Sequence, residues 1–304
     1  MELALIEASA NGDLAKVLKL IKSENNLNIN ATTSFNWSAL YLSSKNNHID
    51  IVEILIEAGA DLNIVTSDLG ETPVFIASQK NHRGIVKILA QNGADLDKAT
   101  FSGFTPLYIA SCFNHLDVTN ELIFAGCDVN KCVNSWCMTP VHKASNANHI
   151  QIVKALIAAN ADVNIATDSN CTALMNAVVQ EREELLNLLV NSGKANVNIS
   201  DYLGYSPLYW AIYKKNTNII TLLLKAGVDN IDSSLIIAEE YGYTEAIDVL
   251  KREKRWRQRR GIVLMRLWDD HKENKAHQPT RMGAFLIDKN TQTSYLLREI
   301  VKYL

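Results

Sequence analysis

Thr105-Pro106-Leu107-Tyr108, then Asn114-His115, then Gly126-Cys127-Asp128-Val129-Asn130: these three signals within residues 105–130 return along the chain in the same order. Ser-Pro or Thr-Pro stands at Thr72-Pro73, Thr105-Pro106, Thr139-Pro140 and Ser206-Pro207, at intervals of 33, 34 and 67 residues. The long interval is two steps, with Thr172-Ala173 where a further Thr-Pro would fall, and Ser38-Ala39-Leu40-Tyr41 extends the series toward the amino terminus. Self-similarity at a period near 33 residues describes an array of like units, so repeats take precedence over any catalytic motif.

Each signal has a local physical meaning. A Ser or Thr hydroxyl at a helix N-cap accepts from an amide that has no partner inside the helix. Proline suits the next position because its missing N–H would have had no partner there. Ten residues on, Asn47-His48, Asn81-His82, Asn114-His115 and Asn148-His149 mark a tight turn, since Asn tolerates the left-handed conformation that ends a helix. A second apolar helical pattern follows, such as Ile51-Val52 and Ile54-Leu55-Ile56. Gly59-Ala60-Asp61-Leu62-Asn63, Gly93-Ala94-Asp95-Leu96-Asp97 and Asn160-Ala161-Asp162-Val163-Asn164 then read as C-caps leading into an extended connection.

In this order the signals resemble the ankyrin repeat, with its Thr-Pro-Leu-His, Gly-His and Gly-Ala-Asp-Val-Asn. The resemblance covers about residues 1–250. It implies an all-α solenoid of about eight repeats, in which stacked antiparallel helix pairs are joined by β-hairpin-like loops. The departures are systematic: Asn replaces the Gly of Gly-His, and Tyr or Phe usually replaces the His of Thr-Pro-Leu-His, which only His142 retains. The first unit begins near Leu3, and its polar residues Glu2, Glu7, Asp13, Lys16, Lys19 and Lys22 suit an end cap. The last begins near Ser233, only 27 residues after Ser206, so its connecting hairpin must be shortened or absent.

Composition agrees with a folded, helix-rich, soluble protein: 47% hydrophobic, 21% charged, 5 Pro and 13 Gly in 304 residues. No apolar run reaches the roughly 18 residues of a membrane span. The acidic amino terminus reads as an amphipathic helix, not a secretory signal. Five scattered cysteines do not suggest a disulfide framework, which points to a reducing interior, cytoplasmic or nuclear. Residues 251–260 carry a local charge of +6, leaving −9 for the rest of a chain whose net charge is −3. This basic run marks a boundary between a repeat array at 1–250 and a segment at 251–304, a basic helix extension with a carboxy-terminal helical capping or adaptor portion. It reads first as a solvated helix extension, with a nuclear localisation signal and a calmodulin or acidic-surface site as alternatives.

The resemblance places partner contacts on the variable hairpin positions and the exposed end of each first helix. Carried onto this chain, the candidates are Phe35, Trp37, Leu69, Phe101, Phe104, Trp136, Met138, Tyr202 and Tyr205. Four of the six fingers bear an aromatic ring, an unusual load for loops. Aromatic side chains bury much area at little rotamer cost and so concentrate binding energy. The competing reading is that some of these rings fold back as core between hairpins.

Nothing in the sequence points to catalysis, a cofactor or a metal. The Asn-His histidines lie one per repeat, too far apart to share a coordination sphere near about 2.1 Å, and read as hydrogen-bonding residues. Cys127, Cys132 and Cys137 lack the close pairing typical of zinc sites. His271 and His277 lack His-Glu-x-x-His spacing and read as part of a solvated loop; Gly193-Lys194 lacks the rest of a phosphate loop. Asn63, Asn130 and Asn164 look like sites of asparaginyl hydroxylation in ankyrin repeats, although capping of the turn by the Asn side chain is the preferred reading.

The expectation is therefore a non-enzymatic scaffold whose partner is another protein, with no small-molecule substrate, no membrane, and nucleic acid disfavoured. The alternative is a substrate-recognition adaptor of a ubiquitin ligase. In that case the tail, with Leu297, Ile300, Val301 and Leu304 on one helical stripe, recruits the ligase.

Overall fold

The computed structural model describes residues 1–23, 27–133 and 136–273, with side chains through Arg260. The chain divides into two compact units, Met1–Val249 and Leu250–Leu304. Among the described residues the helices follow in pairs. The first four pairs are α1 (Glu2–Asn11) and α2 (Leu14–Ser23), α3 (Ala39–Lys45) and α4 (Ile49–Glu57), α5 (Pro73–Gln79) and α6 (Arg83–Gln91), and α7 (Pro106–Cys112) and α8 (Leu116–Phe124). Then come α9 (Pro140–Ala147) and α10 (Ile150–Ala158), α11 (Ala173–Val179) and α12 (Glu183–Asn191), α13 (Pro207–Tyr213) and α14 (Thr217–Lys225), and α15 (Ile231–Glu240) and α16 (Thr244–Glu273). The stripe from Leu297 to Leu304 lies outside the described residues. Helix α16 contains the basic run and continues through His271, where a loop is expected from sequence.

The helix starts obey their caps. Ser38, Thr72, Thr105, Thr172 and Ser206 each accept, through the side-chain oxygen, from the amide three residues on, at 3.1 to 3.2 Å. Each such cap is worth about 1 kcal/mol. At Thr139 the backbone N–H instead donates to Nδ1 of His142 at 3.2 Å, which leaves the ring proton on Nε2. Asn47, Asn81, Asn114 and Asn148 close the inter-helix turns with φ between 60° and 64°. Glu181 and Lys215 occupy the same left-handed position in the next two units, where Asn is missing.

A short helix pair cannot cover its own apolar face, and stacking supplies the cover. The inner helices α1, α3, α5, α7, α9, α11, α13 and α15 contact one another in sequence. Their partners pack behind them, with Val17, Val52, Val86, Thr119, Val153, Leu186 and Ile220 fully buried at corresponding positions. Between α14 and α15 only Ala226–Asn230 intervene, so the seventh connection has no finger, as the 27-residue spacing requires.

Two polar ladders run between units. The residue after each turn bonds a carbonyl of the preceding unit's inner helix or its end: His48 to Ala10, His82 to Lys45, His115 to Gln79 and His149 to Ser111, at 2.9 to 3.1 Å. Where His is absent, Arg182 donates to the carbonyls of Ser145 and Asn146, and the Tyr243 hydroxyl donates to that of Lys215. In the second ladder, side-chain oxygens of Asn30, Asn63, Asp97, Asn130, Asn164 and Asn198 accept from the backbone N–H of Asp61, Asp95, Asp128, Asp162, Asn196 and Asp229. The turns themselves are capped by the preceding residue of the motif, as when Asp61 Oδ1 accepts from Asn63 N–H. The Asn side chains therefore join repeats and do not cap turns, a correction to the sequence reading.

A second correction concerns cysteine. Cys132 and Cys137 are joined as a disulfide across the fourth finger. Cys137 has φ 49°, in the place held by Asn36, Gly70, Gly103, Asn170 and Gly204 in the other fingers, and that turn aims its side chain back at Cys132. A spacing of five residues does not announce a disulfide, and the hairpin supplies the proximity.

Candidate protein-binding surface

The six fingers are tight turns of shared design. A left-handed residue sits near each tip, and single bridges, Thr32 with Ser38 and Val133 with Met138, close two of them. Neighbouring tips are joined through backbone: Ser67 N–H donates to Phe35 C=O at 3.0 Å, Phe101 to Leu69 at 3.0 Å, Asp168 to Trp136 at 3.3 Å and Tyr202 to Ser169 at 3.1 Å. Asn36 and Asn170 add side-chain bonds to the carbonyls of Val65 and Ser200 in the next unit. These bonds hold the tips in register before any partner arrives, which lowers the ordering cost of binding.

The nine sequence candidates separate into two tiers. Phe35, Leu69, Phe101, Trp136 and Tyr202 stand exposed at the tips, Tyr202 at 70%. Trp37, Phe104, Met138 and Tyr205 occupy the position just before each cap. Three of these four stack on the inner helix below: Trp37 on Tyr41 with ring centroids 6.4 Å apart, Phe104 on Tyr108 at 5.2 Å, and Tyr205 on Tyr209 at 4.1 Å. Of this tier Tyr205 is exposed and the other three are half-buried. Lys45 Nζ lies 5.2 Å from the Trp37 ring, within cation–π range. The tips thus carry exposed apolar area, and the three pre-cap rings brace their own fingers against the helix below.

Charge on the fingers has one sign. Asp68, Glu71, Asp168 and Asp201 belong to them, and residues 33–38, 66–72, 100–105, 136–139, 167–172 and 200–206 contain neither Lys nor Arg. A hydrogen bond from Thr66 is the main cause that holds the Asp68 carboxyl below its usual range. Glu71 is nearly buried and accepts from the Tyr41 hydroxyl at 2.6 Å. Burial first, and that carboxylate second, push the Tyr41 phenol well above its ordinary pKa. In the middle of the array the buried His142 imidazole is held below its ordinary value by desolvation, against the opposing carbonyls of Cys171 and Ile165.

The sequence reading missed the largest aromatic assembly. Tyr205, Tyr209 and Tyr213 form a parallel series, with steps of 4.1 and 6.4 Å and interplanar angles of 11° and 10°. Trp210 meets all three edge-on at 5.7 to 5.9 Å, and Tyr241, from α15, meets Tyr213 edge-on at 5.8 Å. The hydroxyls of Tyr209 and Tyr241 lie 3.1 Å apart. The four-residue spacing of Tyr205, Tyr209 and Tyr213 was the available signal; Tyr241 joins from a different unit.

The ankyrin-repeat family profile, written for three copies, matches residues 5–100, 58–132, 107–201 and 141–234. Ankyrin repeat domain-containing protein 40 of mouse and of human are each 39% identical over 71 residues, 23% of this chain. That stretch is 19% of the mouse protein and 18% of the human one, so this chain matches under a fifth of the length of either relative. Among solved structures, the ankyrin repeat domain of Bcl-3, a member of the IkappaB protein family, superposes with TM-score 0.67 at 22% identity. That superposition covers 72% of this chain and 97% of that domain. Among the described residues no helix is long and apolar enough to cross a membrane.

Proposed function

Because the chain belongs to the ankyrin-repeat family, we propose that it is a non-catalytic scaffold that captures a partner protein on its fingers and the inner-helix surface beside them. One observation carries this reading: backbone hydrogen bonds join the tips of fingers one to three and those of fingers four to six, while Phe35, Leu69, Phe101, Trp136 and Tyr202 stand exposed. Apolar area fixed in place before binding is what an interface hot spot needs, because little entropy is then lost on association. The carboxylates among the tips favour a partner whose contact face is positively charged.

The test compares the full chain with a variant carrying Phe35→Ala, Phe101→Ala, Trp136→Ala and Tyr202→Ala. Far-UV circular dichroism and the unfolding midpoint are expected to stay within error of the parent, since these side chains are exposed. Proteins recovered by affinity capture and quantified by mass spectrometry are expected to be lost with the variant. Equal recovery by parent and variant would remove the fingers from the binding surface.

A further inference from the structure

We infer that the aromatic strip formed by Tyr205, Tyr209, Trp210, Tyr213 and Tyr241 is a docking site for an extended, proline-containing peptide segment with a basic residue at its finger end. The inference rests on the scaffold reading above and names the kind of partner segment that one part of the surface takes.

Ring geometry selects the conformation of the occupant. The three parallel tyrosines advance by steps of 4.1 and 6.4 Å. A polyproline II chain rises about 3.1 Å per residue and repeats every three residues, so one turn advances about 9 Å and prolines three apart meet successive parts of this strip. Trp210 packs edge-on against all three rings at 5.7 to 5.9 Å and fills the space beside them. Flat pyrrolidine rings can lie across this strip of close-set rings, and aromatic-lined surfaces suit a preformed polyproline II segment.

Hydrogen bonding points the same way. A polyproline II backbone has no internal hydrogen bonds, so its carbonyls seek donors. The hydroxyls of Tyr205, Tyr209 and Tyr241 interact in series, with Tyr209 and Tyr241 3.1 Å apart, and three hydroxyls joined by two bonds keep one proton for an acceptor from outside. Tyr213 and Tyr241 are about half exposed, at 51% and 40%, so the strip is open to solvent.

Charge sets the direction. At the finger end the Asp201 carboxylate is fixed by Trp210 Nε1 at 2.9 Å and by the backbone N–H groups of Leu203 and Tyr205 at 3.0 and 2.9 Å. At the opposite end Lys214 and Lys215 follow Tyr213 and are exposed. A peptide with Arg or Lys at one end of its proline segment therefore lies with that residue over the finger.

The experiment titrates the full chain into a short fluorescein-labelled peptide with an Arg-x-x-Pro-x-x-Pro core and follows fluorescence anisotropy. Saturable binding is expected, with about tenfold or greater loss for Tyr213→Ala and for Tyr241→Ala, and no change for Phe124→Ala, an exposed ring at the end of α8. Replacing both prolines by Ala in the peptide is expected to cost as much. Circular dichroism of each variant confirms that the fold is kept. Absence of saturable binding, indifference to Tyr213→Ala and Tyr241→Ala, equal binding of the proline-free peptide, or preference for a trimethyl-lysine peptide would each overturn the inference. If that happens while the four-residue finger variant still loses its captured partners, the scaffold reading stands and only the peptide class is wrong.

Discussion

Asn63 Oδ1 accepts a hydrogen bond from the backbone N–H of Asp95 at 2.9 Å, thirty-two residues away. Five further pairs of the same kind, from Asn30 with Asp61 to Asn198 with Asp229, make a chain of bonds between consecutive connections. In a linear array, stability is approximately a sum of units and nearest-neighbour terms, so each such bond is a coupling between two repeats. The natural use of Asp97 in this series shows that an acceptor oxygen, and not the amide nitrogen, is what the position requires.

Asn130→Ala is accordingly expected to lower stability by about 1 kcal/mol, the ordinary net value of one hydrogen bond. Asn130→Asp keeps the acceptor and is expected to lie much closer to the parent. Urea unfolding of both variants followed by circular dichroism checks the pair; equal losses would show that the acceptor is not the coupling.

Arg182 does the work of the missing histidine by donating to two carbonyls, those of Ser145 and Asn146. Arg182→Ala is expected to cost about 1 to 2 kcal/mol. Arg182→His, which restores the residue of the preceding four units, is expected to recover part of that loss. Hydrogen exchange should report the effect at α9 and α12 ahead of the distant α3, because coupling passes between neighbours.

Tyr41 and Glu71 predict a loss of stability in alkali. The Tyr41 phenol is raised in the folded state by burial and by its bond to Glu71, so the unfolded chain releases this proton first. The contribution is complete below the unfolded value of 10 and is lost as pH rises above it. Tyr41→Phe is expected to flatten the fall in urea midpoint between neutral pH and pH about 11. It is also expected to cost about 1.5 to 3 kcal/mol at neutral pH, because a nearly buried carboxylate loses its donor.

His142 predicts the opposite limb. Its imidazole is depressed in the folded state, so the unfolded chain takes up the proton first as the solution is acidified. Stability is complete above the unfolded value of 6.5 and is lost as pH falls below it toward the folded value. His142→Tyr, which installs the residue that Tyr108 and Tyr209 provide in sister units, is expected to remove that acid dependence. Thermal midpoints of parent and variant at pH about 5 and about 7.5 decide the matter, and an unchanged slope would clear His142 of responsibility.

What could be read from the chain alone is what the chain does over short distances. Ser38, Thr72, Thr105 and Ser206 cap amides three residues away, and Asn47, Asn81, Asn114 and Asn148 turn the backbone where they stand, so spacing and residue type sufficed to phase the repeats. The finger candidates were legible as one set because they share a register. Their division into exposed tips and rings stacked on Tyr41, Tyr108 and Tyr209 was not, since it depends on how each turn folds back over its helix. The disulfide of Cys132 with Cys137 needed the hairpin, the reach of Asn63 to Asp95 needed the stack, and the meeting of Tyr241 with Tyr209 needed the connection between α14 and α15 to lose its finger. Sequence determined the repeat because its signals are local bonds between a side chain and nearby backbone. Tertiary structure decided the surface because it brings together groups that the chain holds about thirty residues apart.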